Sequence, residues 1–249
     1  MALFEARNLS KRFGDRVVLE DISLKFERGQ LSGIMGPNGA GKSTCFNVLT
    51  GHFPPDRGQV LLDGEDITGM SPRQIARKGI ARSFQIISLF DEFTALENVL
   101  LALPPVRSAG FNMMRDVAGD RSTVAKAMAV IEMVGLEASA DTRSASLPYG
   151  ERRSLEIAVA LAAEPRILFL DEPTQGMGAD GRRRLLELIK QLKRNFTIVM
   201  IEHDMDFLFS LADQVSVIHW GQVIAQGTPE QLHADPWVRR SSLGSKSHA

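Results

Sequence analysis

The chain lacks most of what marks a secreted, membrane-spanning or nucleic-acid-coating protein. Its 249 residues include one cysteine, Cys45, so no internal disulfide can form and a reducing compartment is expected. No apolar run approaches the ~18 residues of a spanning helix. The best stretch, 157–163, is stopped by Glu164 and Pro165, so the chain is not expected to cross a bilayer by itself. The opening Met1-Ala2-Leu3-Phe4-Glu5-Ala6-Arg7 has neither the basic segment nor the long apolar segment of a secretion signal. An excess of one charge is missing too. With 29 Lys+Arg against 30 Asp+Glu the formal charge is -1, which removes any general electrostatic case for nucleic-acid binding. The 44% hydrophobic content excludes a disordered chain, and the length fits one large domain or two small ones.

Apolar periodicity divides the chain into three stretches. Short strands are expected over 3–6, 17–19, 22–26 and 31–35, helped by the turn pairs Gly14-Asp15 and Arg28-Gly29. A helix over 42–50 ending at Gly51, a strand over 59–63 and a helix opened by Ser71-Pro72 follow. From about 84 to 164 the pattern becomes helical, with helices near 95–101, 123–134 and 150–163, and reads as an inserted subdomain. Strands then alternate with helices: strands over 166–170, 197–201, 215–219 and 222–226, and helices over 180–193 and 205–212. That alternation predicts a parallel α/β sheet. The polar tail 241–249 is expected to fray.

The strongest motif is Gly36-Pro37-Asn38-Gly39-Ala40-Gly41-Lys42-Ser43-Thr44, a complete G-x-x-x-x-G-K-[ST] between an apolar strand and a helix. Its glycines let backbone N–H groups curl around phosphate oxygens, and the helix N-terminus adds positive potential. Lys42 supplies a point charge for the β- and γ-phosphates, and the Ser43 hydroxyl is a ligand for Mg²⁺. Downstream, Ile167-Leu168-Phe169-Leu170-Asp171-Glu172 is an apolar strand ending in two acids, delivered to the carboxyl edge of a parallel sheet, where ligands bind. Strand alternation would point the acids to opposite sides. Asp171 is then expected to hold Mg²⁺ through water and Glu172 to act as general base on the attacking water.

Between these motifs lies Leu147-Pro148-Tyr149-Gly150-Glu151-Arg152-Arg153, which resembles the signature motif of ATP-binding-cassette (ABC) ATPases. The resemblance covers nearly the whole chain. It matches Gln85 in Ser83-Phe84-Gln85 to the glutamine loop, His203 in Ile201-Glu202-His203-Asp204 to the switch histidine, and Phe13 to the aromatic that stacks on adenine. Taken singly, Phe13 reads as core, Gln85 as a surface amide and His203 as a histidine at a helix start; their order along the chain gives them the family's roles. The resemblance implies an α/β fold, a P-loop NTPase of ABC type with a mixed sheet core, an antiparallel β subdomain and an inserted α-helical subdomain. It divides the chain into a nucleotide-binding core over 1–84 and 165–249, and a helical subdomain over 85–164 that carries the signature. It also implies ATP and Mg²⁺ as ligands, with Ser43, Gln85 and Asp171 around the metal, Glu172, His203 and Gln85 at the γ-phosphate, and Gly150 contacting ATP bound to a second subunit.

Two positions depart from the family pattern. Pro148 stands where a serine is usual and removes both a hydroxyl and an N–H. Gly178, in Gln175-Gly176-Met177-Gly178-Ala179, stands where many relatives have aspartate. Cys45, in the first turn of the phosphate-loop helix, reads as a small buried hydrophobe or as an acidified thiol. Arg152-Arg153 and Arg182-Arg183-Arg184 read as solvated helix faces or a contact surface, and Phe111, Met113 and Met114 as core or a partner face.

Within the family, Gly79-Ile80-Ala81-Arg82-Ser83-Phe84-Gln85, Thr94-Ala95-Leu96-Glu97-Asn98-Val99, Tyr149 in the signature and Leu243-Gly244 resemble the ATPase subunits of branched-chain (hydrophobic) amino-acid importers. That implies a second ATPase subunit, identical or different, two membrane permeases and a periplasmic binding protein reached through them. The chain would then sit peripherally on the cytoplasmic face of the plasma membrane, without nucleic acid. The apolar segment 86–93 is expected to line the groove where permease helices dock. Uptake of urea, amides or aromatic acids, lipid export, and a nucleotide switch without turnover stay open as alternatives.

Overall fold

The computed structural model describes residues 2–83, 89–104, 106 and 120–235. The expectations for Gln85, Ile86, Ile87, Phe111, Met113, Met114 and Leu243-Gly244 fall outside this set.

Strands β1 (Ala2–Phe13) and β2 (Arg16–Glu27) form one long antiparallel hairpin across Gly14-Asp15. The sequence pattern breaks this hairpin into pieces because residues 7–12 are largely polar. They stay extended because β1 is paired on both edges, to β2 and to β4 (Arg57–Leu62), so its backbone groups are satisfied whatever its side chains. Asn8 and Asp21 take positive φ, 49° and 56°, beside register shifts in this pairing, as bulged residues do. With β5 (Glu65–Asp66) these strands make a four-stranded sheet in the order β2-β1-β4-β5.

A second sheet has six strands: β3 (Leu31–Met35), β6 (Ile80–Ser83), β7 (Ile167–Asp171), β8 (Thr197–Ile201), β9 (Gln214–His219) and β10 (Gln222–Gly227), in the order β10-β9-β3-β8-β7-β6. All neighbours run parallel except β10, which returns antiparallel to β9. The sheet is therefore mixed. Strand β6, which the apolar pattern does not single out, closes its far edge.

Eight α-helices are described: α1 (Lys42–Leu49), α2 (Pro72–Arg77), α3 (Ala95–Ala102), α4 (Arg121–Met133), α5 (Tyr149–Ala162), α6 (Ala179–Leu192), α7 (Met205–Phe209) and α8 (Pro229–Ala234). Local chemistry sets several ends. Thr94 and Glu97 close a capping box on α3, and Asp204 caps α7 by accepting from the Phe207 N–H. Helix α7 stops at Phe209, short of the expected 212.

The large sheet separates two cores. Along β7, Leu168 and Leu170 face a cluster shared with Val99 of α3, Ile131 of α4 and Leu155 of α5. Ile167 and Phe169 face the other cluster, with the antiparallel sheet and α1. This period of two on a strand buried on both faces explains its unbroken apolar sequence. Phe169 meets Phe46 and Phe4 edge-on at centroid distances of 5.2 and 5.4 Å; full burial of such a ring contributes roughly 1.5–3 kcal/mol.

Candidate functional site

Parallel pairing puts the carboxyl ends of β3, β8, β7 and β6 side by side, so the segments that follow them meet along one sheet edge. Residues more than 150 apart in sequence are thereby assembled by register alone. The phosphate loop leaves β3, His203 follows β8, Asp171 ends β7 with Glu172 next, and Arg82 lies on β6.

The loop is shaped by glycines that nothing else can replace. Gly36 has φ 152°, and a Cβ there would run into the Ile218 carbonyl oxygen. Gly41, at φ 101°, is the N-cap of α1 and would put a Cβ 2.8 Å from the Val18 carbonyl oxygen. The first N–H groups of α1 have no carbonyl to reach within the helix and face the loop. The buried Lys42 folds back over the loop: its Nζ donates to the carbonyls of Gly36 at 2.8 Å and Pro37 at 3.0 Å. Burial pushes the Lys42 ammonium down from its ordinary pKa, while the nearby Glu172 and Asp171 pull it back up. Asn38, Gly39 and Ser43 are exposed, Thr44 is half-buried and Ala40 is buried. The Cys45 thiol is fully buried, and desolvation pushes it up to about 12, so it is a packed hydrophobe and not an acidified thiol.

Asp171 does not stand alone. Its Oδ2 accepts from Arg82 Nη2 at 2.8 Å, with both side chains largely buried. Arg82 also donates to Asn47 Oδ1 at 2.6 Å and Thr50 Oγ1 at 3.1 Å and lies over the Phe46 ring, 4.9 Å from its centroid. Burial pushes the Asp171 carboxyl up, and Arg82 opposes that through its charge and hydrogen bond. The sequence places Arg82 only in a stretch that resembles the family and gives it no role in the site, because β6 and its place beside β7 are tertiary facts.

Glu172 lies outside β7. Its φ is 43°, a left-handed conformation that is uncommon for a residue with a long side chain. The expected strand alternation is thus replaced by a left-handed turn, which separates the two acids. The turn is held by the Glu172 N–H donating to the Ile201 carbonyl at 3.0 Å. Glu172 Oε1 then lies 3.4 Å from His203 Nδ1, with the histidine side chain half exposed and Glu172 only 12% exposed.

Phe13 is 44% exposed, packs edge-on against Phe53 and has Lys11 Nζ 5.6 Å from its ring centroid. An exposed ring at a hairpin end contradicts a core reading and leaves a face free for stacking.

The signature segment lies at the start of α5. Pro148 is its N-cap, at φ -54° and ψ 149°, and makes no side-chain cap hydrogen bond; Gly150 is half-buried in the first turn. Tyr149 reaches across to donate its hydroxyl to the Gln175 carbonyl at 2.9 Å. Arg153 corrects the reading of Arg152-Arg153 as a solvated face or contact surface. It is 3% exposed, pairs with Glu156 at 2.6 Å and donates to the Asp171 carbonyl at 2.7 Å. Arg152 pairs with Asp91 instead. Gly178 is the N-cap of α6, again with no side-chain bond.

Behind Arg82 an apolar groove of about 300 Å³ runs between α2, β6 and α5, lined by Pro72, Ile75, Leu89, Val159 and Ala160 among others. Of the segment expected to line it, Leu89 does so, while Phe90 is 56% exposed and packs on Phe93 at 5.4 Å. Among the described residues no helix is long and apolar enough to cross a membrane.

This geometry has close relatives. Residues 19–175 match the family model for ABC transporters. The chain is 39% identical to the high-affinity branched-chain amino acid transport ATP-binding protein BraF of Pseudomonas aeruginosa, over 97% of this chain and 98% of that protein. It is 36% identical to the corresponding protein LivG of Escherichia coli, again over 97% and 98%. In three dimensions it is similar to the ADP conformation of MJ1267, an ATP-binding cassette of an ABC transporter, with TM-score 0.85 and 29% identity over 98% of this chain and 99% of that one. On the family match and these near-full-length relatives, the chain belongs to the ATP-binding cassette transporter family and is one of its ATPases.

Proposed function

We propose that this chain is the ATP-hydrolysing subunit of an importer of branched-chain or other hydrophobic amino acids. The observation that carries its chemistry is the assembly of the phosphate loop, Asp171, Glu172 and His203 at one sheet edge, with Glu172 and His203 3.4 Å apart. The site suits a nucleoside triphosphate. Glycine-only backbone, a helix N-terminus and a buried ammonium converge on it, and phosphoryl transfer needs positioning and charge stabilisation above all. The donor set also suits Mg²⁺, which takes one or two carboxylates plus substrate phosphates rather than a cage of protein ligands. Ser43, Asp171 through water, and Gln85 would hold it, and its charge would offset that of the β- and γ-phosphates.

Within this reading Phe13 stacks on adenine. Lys42 leaves the Gly36 and Pro37 carbonyls for the phosphate oxygens, exchanging neutral acceptors for charged ones, which bind it more strongly. Glu172 takes a proton from the attacking water, and His203 contacts the γ-phosphate while restraining the Glu172 carboxylate. Gly150 and the α5 N-terminus face the γ-phosphate of ATP on a second ATPase subunit. The helical subdomain over 85–164 thus completes the neighbour's site, while 1–84 and 165–249 bind the chain's own nucleotide.

The partners in this reading are that second subunit, identical or different, two membrane permeases docked in the groove beside Arg82, and a periplasmic binding protein behind them. The chain sits peripherally on the cytoplasmic membrane face. Two measurements test it. Glu172→Gln should lower MgATP turnover by about 10²-fold or more while ATP still binds; equal turnover removes Glu172 from the chemistry. Co-purification of the membrane subunits, reconstituted in vesicles with a binding protein, should give ATP-driven uptake of leucine or valine. Uptake of urea or extraction of lipid instead would overturn the substrate class.

A further inference from the structure

Glu202 immediately precedes the switch histidine and has no role in the site described so far. It is completely buried. Its Oε1 accepts from both the N–H and the hydroxyl of Thr174, at 2.9 and 2.7 Å. Its Oε2 accepts from the His203 N–H at 3.2 Å, and its own N–H donates to the Ile34 carbonyl on β3 at 3.3 Å. Thr174 in turn lies two residues after Glu172. The chain Glu172-Pro173-Thr174, the Glu202 carboxylate and His203 therefore form a closed ring, completed by the 3.4 Å approach of His203 Nδ1 to Glu172 Oε1.

We infer that Glu202 is a positioning residue. Its carboxylate locks the switch histidine to the segment that carries the general base, so that His203 keeps a fixed place against Glu172. A buried carboxylate is costly unless its oxygens are satisfied, and three donors from two different loops satisfy this one. The same chemistry makes it specific. Glutamine has the right shape but only one accepting oxygen, its NH2 being a donor, so it cannot accept from Thr174 on one side and from the His203 N–H on the other; one side of the ring must open. The Thr174 side leads on to Gln175, whose carbonyl is held by Tyr149 of the signature helix. The brace therefore lies between the chain's own acid pair and the helix it presents to a neighbour.

This inference rests on the reading that Glu172 and His203 act at the γ-phosphate, and the two can fail separately. In the full chain, with its partner subunits present where turnover needs them, kcat and KM for MgATP are measured for His203→Ala, Glu202→Gln and the double variant. Glu202→Gln should lower kcat roughly tenfold, the scale on which a displaced catalytic group loses rate, and leave KM unchanged. The double variant should be no slower than His203→Ala alone, because Glu202 acts through His203. Unchanged kcat in Glu202→Gln beside a slow His203→Ala, or losses that multiply in the double variant, would overturn the inference. Unchanged kcat in His203→Ala defeats the site reading and this inference with it. Thermal melting checks folding. If Glu202→Gln does not fold, Thr174→Val, which removes only the hydroxyl leg, carries the same test: it should lose kcat at constant KM while Thr174→Ser keeps the wild-type rate, and equal rates in both overturn the inference.

Discussion

The buried ammonium and acid of the phosphate site, Lys42 and Asp171, are held by partners of their own chain, whereas the helices that start beside Gly150 and Gly178, like α1 at Gly41, begin on residues whose side chains cap nothing. Lys42 is tied to two loop carbonyls and Asp171 to Arg82. The N-caps of α5 and α6, Pro148 and Gly178, make no side-chain cap bond. Pro148 and Tyr149 are also exposed, Tyr149 by 47%. The difference teaches how labour is divided. On the proposed function, the part of the site that binds the chain's own nucleotide is pre-organised by buried contacts. On the same reading, the helix N-termini that would meet phosphate, α1 in the chain's own site and α5 facing a second subunit, both lack a side-chain cap, at a cost in helix stability.

The largest expected effect breaks the pre-organised half. Arg82→Met removes the cation beside the buried Asp171 and should destabilise the fold by about 3 kcal/mol, the scale for breaking a buried pair from one side. Urea unfolding of the isolated chain measures it, and a loss below about 1 kcal/mol would show that Asp171 is satisfied by other groups. The next prediction sharpens the presented half. In a Glu172→Gln background, which should hold ATP without turning it over, Pro148→Ser adds a hydroxyl and should tighten nucleotide-dependent dimerisation by ~1–2 kcal/mol, about a tenfold change in Kd. No gain in analytical ultracentrifugation would mean that the Gly150 amide and the α5 dipole already suffice. The smallest effect is at Gly178. Its φ of -71° and ψ of 174° suit a capping aspartate, and an added Cβ there meets no atom within 4 Å. Gly178→Asp should add a few tenths of a kcal/mol to stability and raise the Tm by about 1 °C in calorimetry. A fall in Tm would argue that the α6 N-terminus is already satisfied.

Much of the site is legible in order along the chain. The phosphate loop and the acid pair stand out because each is a dense local motif whose chemistry needs those residue types at that spacing, and the signature stands out because it resembles the family's. The helix over 42–49 and its end before Gly51 follow from local capping rules. The hairpin of β1 and β2 was legible only in fragments, since its polar middle is kept extended by pairing on both edges. Arg153 misled for a related reason: an arginine pair on a helix reads as a solvated face, and only the placement of α5 against β7 turns one of the two inward. Glu202 has no signal of its own in the sequence, because burial is invisible until β8 sits between β3 and β7.

By itself the sequence determined which residue types stand together locally: a glycine-rich loop ending in Gly41-Lys42-Ser43, an apolar strand ending in Asp171-Glu172, and the stretches around Gly150 and His203 that resemble the family's motifs, each encoded within a few residues because backbone conformation and side-chain type are local. The tertiary structure decided which groups touch. That Arg82 answers Asp171, that Glu172 turns left-handed toward His203 and that Glu202 joins Thr174 to that histidine all depend on strand order and register. Those come from pairing between segments far apart in the chain, which no local pattern records.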